Sequence, residues 1–448
     1  MVCRKFKHVA LVIVISSAFV QSHAMDLMQV YLAAQSQDAS LLATRAAAAA
    51  GRERIPQAKS QLYPNISANA IRNNNRLTNS GANLLGQEQT TNSQYRSGSE
   101  SVTLRQPIYR SAALAQYFQA QAQVEDSESM LMQEEQNLAV RVGSAYFEAL
   151  LTDEQLALVL AQRVSYITQL DSARKSFQAG FGTRTDIDEA QARLDMTYAQ
   201  EIEARQNVDF TLRQLQAMLT QPIDKLVPLD VSRLQILPPE PADLETWLDK
   251  VYRNSPQLKS LQAQVEVAHQ EVEKNKAGHL PTLDAIWQWT RSESDTVSTI
   301  ATRYVNRSVG VQLNVPLFSG GYVNSAVRQA TASHERALHA LEAGRRDTSI
   351  RVHREFRGMT ESIPKIKAYE QALRSADQVV LSSKKSYLAG SRTVLDVLNA
   401  EQQRMAVVRD LAQVRYMYLI SKIRLLALAG EADEKAVAEM NQLFKKAV

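Results

Sequence analysis

Few side chains in this chain of 448 residues could do chemistry. The stretch HERALH, His334 to His339, resembles a zinc-protease helix, but its histidines stand five apart and fall on different helix faces, where zinc needs them four apart. The run Gly180, Phe181, Gly182 lies between two helical patterns, whereas a phosphate cradle follows a strand. His269, His279 and His353 are scattered singly, which suits exposed helix positions. Two carboxylates remain. Asp186 and Asp396 each follow a threonine by three residues, Thr183 and Thr393, and each threonine follows a glycine by three, Gly180 and Gly390. A glycine takes the left-handed backbone that closes a helix. A threonine with an acid three residues on caps the next helix, aspartate standing where glutamate is usual. Negative charge is also favoured at a helix N-terminus. Capping thus accounts for both aspartates without any further role, and no catalytic, cofactor or metal site is expected.

The duplicated turn belongs to a longer repeat. Phe177, Gly180, Thr183, Asp186, Ile187, Ala190 and Gln191 correspond to Tyr387, Gly390, Thr393, Asp396, Val397, Ala400 and Glu401 at an offset of 210. VTLRQPIYRS (from Val102) matches VQLNVPLFSG (from Val311) at 209, and VRVGSAYF (from Val140) matches IRVHREFR (from Ile350) at 210. SQLYPNISANA (from Ser60) matches AGHLPTLDAIW (from Ala277) at 217. Two tandem copies, 25–240 and 241–430, fill most of the chain, and a tail covers 431–448.

The first residues have a basic start (Arg4, Lys5, Lys7), an apolar run from Val9 to Val20 and small residues from Ser22 to Ala24, the pattern of a secretory signal over 1–24 cleaved before Met25. The apolar run is shorter than the roughly 20 residues of a membrane-spanning helix, and no later run reaches that length. Cys3, the one cysteine, would leave with the leader. Loss of Arg4, Lys5 and Lys7 takes the basic count from 51 to 48 against 47 acids, so nothing points to nucleic acid.

These turns need long elements to carry them. Each copy opens on a helical pattern, Met25 to about Leu62 and Pro241 to about Gly278. Alternation follows. Leu283, Ala285, Trp287 and Trp289 share one strand face, with Asp284, Gln288 and Thr290 on the other and Ile286 the exception. From Arg303 to Pro316, Val305, Val309, Val311, Leu313 and Val315 (Arg307 among them) face away from Tyr304, Asn306, Ser308, Gln312 and Asn314. Weaker counterparts at Asn65 to Arg72 and Tyr95 to Pro107 flank a polar stretch rich in Asn and Gly, giving four strands in two hairpins, about 65–107 and 282–316. Behind each hairpin runs a helix of about 100 Å, Ser111 to about Gln178 and Gly321 to about Leu388. After the turns, 179–186 and 389–396, come helices of about 55 Å, Thr183 to about Leu219 and Thr393 to about Ala429. Half-length helices on either side of each long one make a thin antiparallel body with strands at one end and both turns at the other. Proline gathers between Gln221 and Pro241, the joint of the copies, and the tail reads equally as a charged helix or disorder.

A small water-soluble sheet is one reading of the strands. The leader, the divided faces, and Trp287 and Trp289 near a strand end favour lipid contact, with the tryptophans in an interfacial girdle. Four strands cannot close a barrel, and open edges in hydrocarbon leave backbone groups unpaired, so several chains must share one.

With helix, hairpin, long helix, G-x-x-T-x-x-D turn and helix given twice, and with YLAGSRTVLDVLNAEQQ followed by RYMYLISKIRLLALAG (Arg415 to Gly430), the chain resembles the TolC family of outer-membrane efflux and secretion channels from about Met25 to Gly430. The resemblance implies a mainly α fold with a β-barrel portion. Four strands per chain pool into a 12-stranded outer-membrane barrel in a homotrimer, above a periplasmic helical tunnel. It implies an exit duct of a tripartite efflux pump or type I secretion system, whose tips dock on a periplasmic adaptor and an inner-membrane transporter. It implies a periplasmic gate in which Asp186 accepts from Tyr387 and Arg392, and an acidic selectivity ring at Asp396. Gly180, Thr183, Gly390 and Thr393 would shape the docking tips. Where some members carry a further aspartate one turn on, this chain has Asn399. The rival reading is a periplasmic coiled-coil adaptor or scaffold, which would need compact β domains flanking one helical hairpin.

Overall fold

The computed structural model describes residues 24–82, 86–219, 221–223, 225–294 and 297–445. The expected leader lies outside these, apart from Ala24. Each lead-in helix expected as one piece is segmented. The first is α1 (Leu27–Gln37), α2 (Ala39–Arg52) and α3 (Arg54–Ser60). Asp38 makes the first break: its carboxylate caps Leu41 N at 2.9 Å and pairs at 3.0 Å with Arg141, in the long helix that follows the first hairpin. The second comprises α6 (Leu244–Asn254) and α7 (Pro256–Lys276). Pro256 has no N–H to donate and forces its predecessor out of helical geometry, so it starts a helix rather than continuing one.

The strands are β1 (Asn65–Ala82), β2 (Glu88–Tyr109), β3 (Thr282–Glu293) and β4 (Arg303–Asn314), one antiparallel sheet in the order β1-β2-β3-β4. Pairing of β1 with β2 runs from Asn65↔Arg105 to Ala82↔Glu88, through the stretch expected as a polar loop. Side-chain bonds replace the missing hydrophobic signal there: Thr78 donates to Asn92 at 2.7 Å and Asn75 to Ser97 at 2.9 Å. The first hairpin therefore projects beyond the second, whose strand β3 meets β2 only from Gly98 onward. β4 ends at Asn314, short of Val315 and Pro316, and the extension of β3 to Glu293 leaves Trp287 and Trp289 at mid-strand rather than near an end.

The long helices are α4 (Ser111–Gln178) and α8 (Tyr322–Leu388), and the half-length ones are α5 (Arg184–Gln216) and α9 (Val394–Leu428). On the sheet side α7 packs between α4 and α8; on the turn side α9 takes that place and α5 flanks α4. The half-length helices thus complete the long ones end to end. Where α4 crosses α9, a Cβ on Gly143 would lie 2.8 Å from Cδ1 of Ile423 and would push that side-chain end aside, so the two helices run close there. No described helix is long and apolar enough to cross a membrane.

The main core sits where all these elements meet. Tyr146 of α4 is fully buried and its hydroxyl donates to the carbonyls of Met25 (3.1 Å) and Val227 (3.0 Å), fastening the joint between the copies. Burial raises the Tyr146 phenol above its ordinary pKa, so it stays a donor. The tail forms α10 (Glu434–Asn441), buries Val437 and Met440, and beyond that helix sets Phe444 stacked on Phe147 at 6.2 Å and edge-on to Tyr146 at 5.3 Å. Phe444→Ala is expected to cost about 3–5 kcal/mol, as for other large-to-small core changes. Lys445→Ala, at an exposed side chain, should stay within about 0.5 kcal/mol. Denaturant unfolding followed by helical circular dichroism checks both.

Candidate functional site

Register decides what the sheet shows to its surroundings. Paired across all four strands, Ile66, Leu104, Trp287 and Val309 form one rung on one face. Ala68, Val102, Trp289 and Arg307 form the next rung on that face, and then Ala70, Glu100, Arg291 and Val305. In the other direction lie Ala285 beside Val311 and Leu283 beside Leu313. The apolar face thus stops at Trp289, where charge begins, although the strand runs on. Trp289 sits at a band edge that is not a strand end. The sheet meets the helices at a collar of exposed aromatics, Tyr63, Tyr109, Phe318 and Tyr322, which sequence reasoning missed because none of them alternates within a strand pattern. From Tyr109 to Val102 is about 23 Å of strand, close to the roughly 25 Å band of outer-membrane barrels.

The opposite face is polar: Ser67, Thr103, Gln288 and Ser308 share a rung. At its base Asp284, 5% exposed, accepts both guanidinium arms of Arg110, at 3.0 and 2.8 Å. Arg105 lies 3.5 Å from the same carboxylate and donates to Gln312 at 3.1 Å. Alternation placed Asp284 on this face; its arginine partner comes from the residue that joins β2 to α4, a contact made only on folding.

At the far end, both turns are built alike. Gly180 and Gly390 have φ of +79° and +74°. In the first, Gly180 N donates to Phe177 O and Phe181 N to Ser176 O; in the second, Gly390 N donates to Tyr387 O and Ser391 N to Ser386 O. This is the paired-bond closure of a Schellman motif. Both capping boxes close. Thr183 Oγ1 accepts from Asp186 N at 3.1 Å while Asp186 Oδ2 accepts from Thr183 N at 2.9 Å and its hydroxyl at 2.7 Å. Thr393 and Asp396 repeat this at 3.3, 2.9 and 2.8 Å. The Thr393 backbone N–H, then its hydroxyl and the charge of Arg392, hold the exposed Asp396 carboxyl below its ordinary pKa.

The two turns are neighbours. A small core of Tyr166, Leu170, Ala190, Leu194, Val394 and Leu398 lies behind them, with Tyr387 packed against it. Between them opens a cleft of about 760 Å³, lined by Asp186, Tyr387 and Arg392 together with Thr183 and Thr393. The structure therefore brings the three expected gate residues into one cleft without bonding them to each other. Tyr387 shares a 3.4 Å contact with the Ser176 hydroxyl, and Arg392 donates to Ser383 at 2.8 Å. Phe181 and Leu388, at 92% and 84% exposed, stand beside them at the tips.

The profile of the outer membrane efflux protein family matches residues 30–221 and 247–431. The alkaline protease secretion protein AprF of Pseudomonas aeruginosa is 39% identical over 342 residues, 76% of this chain and 71% of its own. The proteases secretion protein PrtF of Dickeya chrysanthemi is 31% identical over 445 residues, 98% of this chain and 96% of its own. A crystal structure of the transmembrane channel protein CusC superposes with a TM-score of 0.77 over 90% of this chain and 92% of that one, at 16% identity, a likeness of fold. The sheet that is apolar on one face and polar on the other, the long helical body and the paired turns thus belong to an outer-membrane exit duct with its helices in the periplasm, and this chain is a member of the outer membrane efflux protein family.

Proposed function

We propose that the chain is the outer-membrane component of a type I protein secretion system, working as a homotrimer that conducts its cargo passively while a periplasmic adaptor and an inner-membrane transporter supply drive and selection. The observation that carries this is a four-stranded sheet, apolar on one face, with both edge strands open. Such edges in hydrocarbon require further copies, and three give a closed barrel with the polar faces inward. Protein cargo, rather than small molecules, is favoured by AprF and PrtF, both of which serve protease secretion. In the trimer six similar tips surround the periplasmic mouth, and their exposed Phe181 and Leu388 offer the adaptor apolar contacts.

The tips are proposed as the gate. Closure draws Tyr387 and Arg392 across the cleft onto Asp186, whose cap bonds fall on Oδ2 alone. Asp396, with its charged form favoured by its own cap, forms the acidic ring, and three copies favour cations at the mouth. Gly180, Thr183, Gly390 and Thr393 hold the turns in shape.

Two tests follow from this reading. Val311→Arg or Leu313→Arg places a charge on the lipid face and should cost about 2–4 kcal/mol near the bilayer centre. Ser308→Arg, on the opposite face, should assemble far better; equal trimer yields for the three variants would count against the barrel. An exposed ion pair contributes only about 0–1 kcal/mol, but three copies biasing one closed state can shift the mouth toward open. Tyr387→Phe combined with Arg392→Ser should therefore raise single-channel conductance in planar bilayers at unchanged trimer yield. Asp396→Ala should leave conductance near wild type while weakening cation preference and block by multivalent cations.

A further inference from the structure

One turn of α9, from Asn399 to Gln402, is bonded to all three of its helical neighbours. Glu401, 6% exposed, accepts from Ser165 of α4 at 2.5 Å and pairs with Lys384 of α8 at 2.6 Å. Arg193 reaches the same turn from α5, donating through Nη2 to Asn399 Oδ1 at 3.0 Å and through Nη1 to Gln402 Oε1. Among the described residues, Arg193 alone hydrogen-bonds α5 to α9. Past Gln402, away from the tips, the two helices part around an open cleft of about 350 Å³, lined by Gln200, Glu203 and Asn207 of α5 and by Met405 and Arg409 of α9. Farther up, α9 is fixed to α4 by the close crossing at Gly143 and by the Tyr416 hydroxyl on Glu154 at 2.6 Å. The tip half of α9 is thus anchored above, and below the cleft its hydrogen-bonded tie to α5 runs through one guanidinium, next to the apolar packing of Ala190 and Leu194 with Val394 and Leu398.

Both acceptors of Arg193 are neutral amides, and among the described residues it forms no ion pair. Its planar fork suits this two-point bridge, which the point charge of a lysine cannot reproduce. Asn399 and Gln402 lie one and two turns beyond the cap at Asp396, about 5 and 9 Å along the helix.

We propose that Arg193 is a second latch of the periplasmic mouth, holding α5 against α9 above the tip contacts so that opening requires this bridge to break. The proposal rests on the reading of the tips as a gate, and it is tested on the full-length trimer in planar bilayers. Arg193→Ala is expected to raise single-channel conductance by about twofold or more, by shifting closed mouths toward open. Asn399→Asp gives the guanidinium a charged acceptor, and such bonds are about twice as strong; conductance should fall below wild type. In the Arg193→Ala background the same aspartate has nothing to hold, and the double variant should conduct like Arg193→Ala. A general loosening of the helices predicts no such opposite, partner-dependent effect. Should Arg193→Ala fail to assemble, Asn399→Ala combined with Gln402→Ala removes the acceptors instead and carries the same expectation.

Wild-type conductance in Arg193→Ala, or an effect of Asn399→Asp that is the same with and without Arg193, overturns the latch. The Tyr387→Phe, Arg392→Ser variant in the same membranes separates the two readings. If it opens and Arg193→Ala does not, the gate stands without the latch. If neither opens, the gate falls with it.

Discussion

A backbone N–H or C=O left unpaired in hydrocarbon costs several kcal/mol, and this chain carries two rows of them, along the outer edges of β1 and β4. No rearrangement within the chain removes both rows, because four strands are too few to curl into a closed cylinder. The membrane portion is therefore completed by copies of itself. That requirement shapes the rest. Each hairpin passes into one long helix, so a closed ring of hairpins continues as a ring of helices. The half-length helices fill the spaces between, α7 on the sheet side and α9 on the turn side. The joint of the copies has to fall at the waist where these ends meet, which is where the buried rings of Tyr146, Phe147 and Phe444 pack together.

Much of this could be read before folding, because the signals are local. The helical pattern between each hairpin and its turn set the length of α4 and α8, running on through Gly143 in the one and Pro364 in the other, and alternation set the faces of β3 and β4. The first hairpin was less legible beyond Arg72. Its outer part is wetted on both faces, so polar residues such as Asn75, Thr78 and Asn92 replace the apolar alternation and resemble a loop. The breaks in the lead-in helices were hidden for a different reason. Asp38 reads as one more polar residue on a helix until Arg141 of α4 is brought to it, 103 positions away. The tail was ambiguous because its charged residues dominate the composition, while three apolar side chains, Val437, Met440 and Phe444, decide its place.

The same division runs through the candidate site. Glycine, threonine and aspartate at fixed spacing specify a turn by their own chemistry, and both turns formed with the expected closure and caps. Which side chains share the cleft depends on how α5 and α9 lie across α4. No spacing within the sequence encodes that Arg193 meets Asn399, or that Arg110 meets Asp284. Asn399 is instructive: as a sequence position it is only an acid that is missing, and in the fold it is an acceptor in use.

Capping and gating are not rival explanations of the turn aspartates. In both turns the bonds to the threonine backbone and hydroxyl fall on one carboxylate oxygen, which fixes the side chain in one rotamer before any partner arrives. Holding a free side chain in one geometry is among the larger costs of an exposed ion pair. A carboxylate already held by its own helix end meets a tyrosine or arginine with most of that ordering complete. In the proposed gate the cap thus strengthens a weak contact that is repeated around the mouth. Under the proposed gate the aspartates carry both roles, the cap on Oδ2 and, at Asp186, the gate contact on the oxygen the cap leaves free, while Tyr387, Arg392 and Arg193 cap nothing, and it is at these donors that the two roles come apart.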